Sequence, residues 1–376
     1  MHYHYKEWDG TEFPTQDSLR LFDSLAEMVL EFGDQALDAL ERLEGDEEQR
    51  KLLEQLMDDG FLEKAGARWR LTPRAISAMQ RKSLMEVFRN LRKGATGAHD
   101  TLDLARDGER ADGTRAYTFG DPVSDIEINQ TLRNAVARGG PGLPIAIRED
   151  DFELHRTEGR TRCSTVLLLD MSGSMARWGR FVHAKKCAMA VHALIRQRFP
   201  LDTIDLVGFH STAEVIPEHR LPFIGPKPIT QYGPTVRARV PLSQADQAPQ
   251  YFTNLQMGLQ LAARILHRRP GENKQVFIIT DGQPTAHVQG DYLYVLYPPD
   301  RSTTLATLSE ARRLVRRGIR FATFALIEDY FYLGLVNFVE QMAQVSGGIA
   351  AYCNAQDLGN MVIDSFVGGR RTRRTL

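Results

Sequence analysis

Between residues 163 and 376 the chain alternates two hydrophobic rhythms. Runs that are apolar at almost every position, TVLLLD (165–170), QVFIIT (275–280) and FATFAL (321–326), read as strands buried on both faces. TIDLVGF (203–209) and IAAY (349–352) read as further strands, and AEVI (213–216) as a short antiparallel partner across the tight turn His210-Ser211-Thr212. Between them, apolar residues recur every three or four positions, the spacing of one helical face. Helices are predicted over about 179–198 (Phe181, Ala184, Ala188, Val191, Ile195), from near Thr253 (Leu255, Leu259, Ala262, Leu266), over about 303–317 (Leu305, Leu308, Ala311, Val315) and over about 333–345 (Leu335, Phe338, Val339, Met342). A closing helix is predicted over about 356–367. Alternating strands and helices predict an α/β class domain with a doubly wound, mostly parallel sheet and helices on both faces. Such sheets bind ligands beyond the carboxyl ends of their strands. Asp170 and Asp281 stand at two of those ends.

The first part of the chain has a different rhythm. Residues 17–44 read as one helix with Leu19, Phe22, Leu25, Met28, Val29 and Phe32 on its inner face, and 47–59 as a second, with Leu52, Leu53, Leu56 and Met57, ended by Gly60. FLEKAGARWRL (61–71) reads as a hairpin. Thr72 then caps a helix that opens on Pro73 and runs to about Leu91. Helix, hairpin and helix in that order predict a mostly helical, winged-helix-like module over 1–92. Residues 93–162 read as a linker and extended segment: a Gly- and charge-rich loop at 93–118, a short helix near 131–138, and a strand at 152–156 that would pair with the sheet edge or the N-terminal module. Residues 163–376 form the α/β domain.

Composition narrows the function. The chain has 376 residues and a formal net charge of −1, so no overall field draws it to nucleic acid or an anionic membrane. The N-terminal helices carry both charge signs without a basic stripe, which argues against nucleic acid as partner. No apolar run approaches the roughly 18 residues that cross a bilayer, and the opening residues lack an apolar signal core. Three widely spaced cysteines, Cys163, Cys187 and Cys353, suit buried thiols in a reducing compartment. A cytoplasmic location without membrane contact is expected.

The candidate chemistry is a dispersed set of oxygen donors: Asp170, Ser172 and Ser174 in DMSGS, Thr253, and Asp281 in TDG. Carboxylates and hydroxyls delivered by strand ends suit a hard divalent cation such as Mg²⁺, which takes oxygen ligands in near-octahedral geometry. Gly173 permits the sharp turn that lets DMSGS meet one ion. This pattern resembles the metal-ion-dependent adhesion site (MIDAS) of von Willebrand factor A (VWA) domains: D-x-S-x-S, a distant Thr, and a distant Asp followed by Gly, all present here in order. The resemblance covers 163–376. It implies that Ser172, Ser174 and Thr253 ligate through hydroxyls, with Asp170 and Asp281 bound directly or through water. It further implies that a Glu or Asp of a partner protein completes the shell. Mg²⁺ is the expected ion, with Mn²⁺ or Ca²⁺ able to take the same oxygens. Thr280 and Thr285 are candidates for holding the ligands in place.

The TDGQPTAH stretch and the LTPRAIS segment are similar to bacterial VWA proteins that work with MoxR-type AAA+ ATPases, so an adaptor role beside such an ATPase is expected. VWA subunits of metal chelatases are also similar, but this N-terminal module departs from theirs. Catalysis is not expected. Ser172 replaces the second Asp of a D-x-D phosphatase motif, G-x-S-x-G is missing around it, and there is no phosphate-binding loop. His183 and His192 read as helix positions without an acid–base partner. The aromatic stretch 284–300, with Tyr292, Tyr294, Tyr297, Pro298 and Pro299, is either a recognition surface or a loop over the sheet edge. The Arg-rich end, with four Arg in 370–374, reads as a solvated tail. The alternative function is RNA binding through the N-terminal module and that tail.

Overall fold

The computed structural model describes residues 16–43, 47–66, 68–90, 109–117, 126–140, 142, 144–158, 162–230, 233–271, 273–327 and 333–371. Of the loop predicted at 93–118, residues 93–108 and 118 lie outside them, as does the tail beyond Arg371. The chain divides into two compact units, one holding 1–95 with 163–370, the other 96–162 with 371–376.

The first unit begins with α1 (Gln16–Phe32), α2 (Asp34–Leu43), α3 (Glu47–Asp58), the hairpin strands β1 (Leu62–Ala65) and β2 (Arg68–Leu71), and α4 (Pro73–Asn90). The single helix predicted over 17–44 is thus two. Gly33 separates them at φ 61°, and a Cβ there would sit 2.4 Å from the Phe223 carbonyl oxygen. The periodic pattern runs on through the break because both helices bury apolar faces in one core. Leu19, Met28 and Phe32 are exposed, as are Leu52 and Met57, so the buried faces are narrower than the hydrophobic stripes. The Thr72 cap is present, with the Ala75 N–H donating to its hydroxyl at 3.1 Å.

The second unit contains β3 (Glu109–Ala116), α5 (Ile128–Gly139) and β4 (Glu153–Glu158). Glu109–Ala116 was predicted as loop and is a strand. It pairs antiparallel with β4 across an irregularity between Arg110 and Thr114. Cross-strand backbone bonds, not apolar alternation, hold ERADGTRA extended. β4 accordingly finds its partner within this unit, rather than at the large sheet or the N-terminal helices. Arg138 donates to both oxygens of buried Asp151 at 2.9 and 2.6 Å and holds its pKa down at about 2.

The first unit resumes with β5 (Cys163–Asp170), α6 (Arg180–Arg198), β6 (Thr203–Phe209), β7 (Ala213–Ile216), β8 (Val236–Pro241), α7 (Leu255–Arg268), β9 (Asn273–Thr280), β10 (Ala286–Gln289), β11 (Tyr292–Tyr297), α8 (Arg301–Val315), β12 (Ile319–Leu326), α9 (Leu333–Ser346), β13 (Ile349–Cys353) and α10 (Leu358–Arg371). Six strands form one sheet in the order β13-β12-β9-β5-β6-β7. All pair in parallel except β7, which runs antiparallel to β6. Every residue of central β5 is buried. Leu167 and Leu169, with Phe277 and Ile279, face α6, α10 and the N-terminal helices. Val166 and Leu168, with Val276 and Ile278, face α7, α8 and α9.

The N-terminal helices therefore share one core with a face of the sheet. They cover α6, which is buried almost all round between Arg180 and Ile195 instead of along one stripe. In α8, Leu305 is exposed, contrary to the predicted inner face, while Leu308, Ala311 and Leu314 are buried. The aromatic stretch 284–300, expected as a recognition surface or a loop over the sheet edge, contains two strands. Its strands β10 and β11 join β8 in a separate three-stranded antiparallel sheet over a small core of Ala248, Phe252, Ala286, Leu293 and Val295. Among the described residues no helix is long and apolar enough to cross a membrane.

Candidate metal centre at the strand ends

From β5 the chain crosses to β6 on one side, and later returns to β9 on the other. The strand order reverses at β5, and the crevice beyond its carboxyl end is where such sheets hold ligands. Asp170 is the last residue of β5, and Asp281 directly follows β9. The parallel ladder between them fixes their separation, because Leu169 lies opposite Ile279.

The other donors arrive on loops locked to this frame. The Ser172 N–H donates to Asp170 Oδ1 at 2.8 Å, closing the backbone over the strand end. Gly173 serves by close approach, where the sequence suggested a sharp turn. Its N–H donates to the Tyr251 carbonyl at 3.0 Å, and a Cβ would lie 2.4 Å from Ile229 Cγ1. The Ser172 and Ser174 hydroxyls are 3.1 Å apart, and Ser174 donates to Asp281 Oδ1 at 2.7 Å. Thr253 precedes α7, whose N-cap is Asn254. The Thr253 N–H donates to the Thr285 hydroxyl at 2.8 Å, and its carbonyl accepts from the Thr285 and Ala286 N–H groups at 2.9 and 3.1 Å. A Cβ on Gly282 would stand 3.8 Å from the Thr253 hydroxyl, which places that oxygen beside the Asp281 loop.

The structure thus brings all five predicted residues together at the carboxyl ends of β5 and β9. Thr280 and Thr285 also stand where the sequence suggested. Thr280 donates to Asp170 Oδ2 at 2.6 Å, and Thr285 anchors Thr253.

Electrostatically the crevice holds two carboxylates that water does not reach. Burial, and then the charge of Asp281, pushes the Asp170 carboxyl up to about 7. Burial also raises Asp281, against the hydrogen bonds from Ser174 and Arg180. A divalent cation between the carboxylates would reverse both tendencies. The donors are all oxygens, two carboxylates and three hydroxyls; among the described residues no group of three or more His, Cys, Asp or Glu gathers at any point, this one included. The residues present fit a hard, oxygen-seeking cation.

One participant was missed. Arg180 is 1% exposed and donates from Nη1 to Asp281 Oδ2 at 2.8 Å, the counter-ion of a fully buried carboxylate. The signal was present: Arg180 lies one turn before Ala184, on the same stripe as Ala188, Val191 and Ile195, so helical periodicity points it inward. Its guanidinium carbon lies 4.5 Å from the ring centre of Trp178. Trp178 is 55% exposed and holds φ 52°, an outlier for a bulky residue.

A family model described as Rv0959-like protein, vWA domain, matches residues 163–367, which include every strand of the large sheet. The chain is therefore a vWA-domain protein. A second model, the third domain of Rv0959-like protein, matches 109–157, the span from β3 to β4. The chain belongs to the Rv0959-like family. It is 30% identical over 349 residues to uncharacterised protein Rv0959 of Mycobacterium tuberculosis, and equally to Mb0984 of Mycobacterium bovis. These matches take in 89% of this chain and 48% of each relative, so the chain spans about half the length of the curated relatives it matches. Among solved structures, the PilB minor pilin of Streptococcus sanguinis is 14% identical with TM-score 0.42, covering 62% of this chain and 67% of that one. The vWF domain of the pilus tip protein Mfa5 from Porphyromonas gingivalis is 13% identical with TM-score 0.39, covering 57% and 98%. vWA domains are typical adhesion and protein-interaction modules.

Proposed function

We propose that this chain is a metal-dependent protein-interaction adaptor. Asp170, Ser172, Ser174, Thr253 and Asp281 would hold Mg²⁺, which supplies an electrophilic point for an acidic side chain of a partner. The observation that carries this reading is the convergence of two buried carboxylates and two hydroxyls, Ser172 to Ser174 at 3.1 Å and Ser174 to Asp281 at 2.7 Å. Three hydroxyls and two carboxylates leave the ion electron-poor enough to accept one more carboxylate. The chain's own residues do the rest: Thr280 orients Asp170, Thr285 orients Thr253, and Arg180 steadies Asp281. Binding, rather than a catalysed reaction, is the proposed task. Following the sequence resemblance, the partner system is a MoxR-type AAA+ ATPase and its client.

The test is capture of partners from a native lysate on the immobilised chain, with Mg²⁺, with EDTA, and with Asp170→Ala. Mg²⁺-dependent recovery of an ATPase or its client, absent in the other two arms, supports the proposal; equal recovery in all three refutes it. Because an ion that binds only the folded state stabilises it, millimolar Mg²⁺ is also expected to raise the melting temperature of the wild type and leave Asp170→Ala unmoved.

A further inference from the structure

We infer that the outer face of the β8–β11–β10 sheet docks an acidic segment of a partner polypeptide. The register settles which residues share that face. Tyr294 stands opposite Arg239 on one side and His287 on the other, and Leu296 stands opposite Arg237. The alternate residues Ala286, Leu293 and Val295 point into the small core below. Sequence alternation in VRARVP therefore delivers two arginines outward from an edge strand, beside two tyrosines of the central strand.

The aromatic rings are supports rather than vacant platforms. The Arg239 guanidinium lies 3.6 Å from the centre of the Tyr292 ring, and His287 stacks on Tyr294 at 5.2 Å and 11°. Bases of a nucleic acid need free ring faces to stack on, and one face of each tyrosine already carries a neighbour. A guanidinium held flat on a ring loses little freedom when it binds, and its N–H edge matches a carboxylate. Burial holds His287 below its usual range, so it packs as a neutral ring at pH 7.

Among the described residues no carboxylate forms an ion pair with Arg237 or Arg239. Asp300, held below the ordinary carboxylate range chiefly by Ser302, feels Arg237 only at longer range. Two exposed cations without a close counter-ion, in a chain of net charge −1, are complementary to carboxylates supplied from outside. Next to β10, a shallow cavity of about 340 Å³ is lined by His287, Gln289 and the exposed Leu305, which gives an acidic segment a place for one apolar side chain.

This surface needs no metal, so its test is separable from that of the ion site. Fluorescence anisotropy of a fluorescein-labelled poly-glutamate peptide is titrated with the full chain at low salt, in EDTA. An oligouridylate of equal charge is titrated in parallel. The peptide is expected to bind, and Arg237→Ala with Arg239→Ala together to weaken it by about tenfold or more. Tyr292→Leu, which keeps both charges and removes the shelf under Arg239, should weaken it by less. Absence of peptide binding in EDTA, indifference to the double substitution, or oligouridylate binding as tight as the peptide would each overturn the inference.

Discussion

Replacing Arg180 by Met tests the electrostatic account of the crevice most directly. The substitution keeps a long, flexible apolar body in a buried place but removes the only guanidinium bonded to Asp281 among the described residues, at 2.8 Å and with both side chains essentially inaccessible. Breaking a buried pair by deleting one partner costs about 3–5 kcal/mol, because the other charge is stranded. The stranded group here is a carboxylate already raised by burial, and Asp170 faces it with its own carboxyl pushed up to about 7. Asp281 can escape the penalty by taking a proton, at about 1.4 kcal/mol per pH unit below its new pKa. In the variant its folded pKa then lies further above the unfolded value, so the folded state binds more protons in that window. Stability lost at neutral pH should return as the pH falls toward the unfolded carboxylate range.

The assay is urea denaturation followed by tryptophan fluorescence in EDTA, at neutral and mildly acidic pH. Arg180→Met should lose about 3 kcal/mol or more at neutral pH, and less in acid. Adding Asp281→Asn, which removes the stranded charge, should recover most of the loss. Mg²⁺ should stabilise the single variant more than the wild type, since it replaces the missing cation. A single variant within about 1 kcal/mol of the wild type, or a double variant less stable than the single, would refute the reasoning.

Three further outcomes are expected. Gly33→Ala should destabilise by about 1–3 kcal/mol from the left-handed backbone alone, plus the clash of its Cβ with the Phe223 carbonyl at 2.4 Å; Gly66→Ala, with φ 68° but nothing within 4 Å, should cost less, and equal midpoints on thermal melting would contradict the close-approach argument. Leu168→Ala, at 0% exposure in the central strand, should cost about 2–5 kcal/mol in urea, the range of buried Leu truncations. Lys185 is buried, donates to the Pro222 and Ile224 carbonyls at 3.1 and 3.0 Å, and is brought down to about 7 by desolvation. Its folded pKa lies below the unfolded one, so the unfolded chain binds more protons from pH 7 up to about 10.4. Stability should rise with pH across that window and level off below about pH 7, where both states carry the proton, and Lys185→Met should flatten the slope in a urea-midpoint series.

Strands β5, β9 and β12 were legible because parallel strands buried on both faces must be apolar almost throughout, and few other local structures require that. Helix α7 was legible because its buried residues fall on one face over a solvated opposite face. The elements that escaped bury little or obey a different partner. β3, ERADGTRA, has no core side chain to announce it and exists through backbone pairing with β4. β8 did alternate, with Val236, Ala238 and Val240 against Arg237, Arg239 and Pro241, but six residues without a visible partner resemble a loop. The stripe through Leu19, Met28 and Phe32 overstated the inner face of α1, since periodicity counts apolar residues and not the neighbours that cover them.

The crevice was legible for a related reason. A strand end fixes where an Asp sits, so the sequence already put Asp170 and Asp281 on the carboxyl side of the sheet; the structure adds that their strands are neighbours. Thr253 needed only the loop before α7 to deliver it. What sequence spacing did not convey was charge balance. Two carboxylates beyond the reach of water are unstable together, and the fold must place positive charge against them. Arg180 supplies one unit of it from the first turn of α6, against Asp281 alone. Among the described residues Asp170 has neutral donors, the Thr280 hydroxyl and Ser172, which do not offset burial and the Asp281 charge, and it remains raised. The balance is therefore incomplete on the Asp170 side, where Ser172 carries its hydroxyl, and the cation we propose would complete it there.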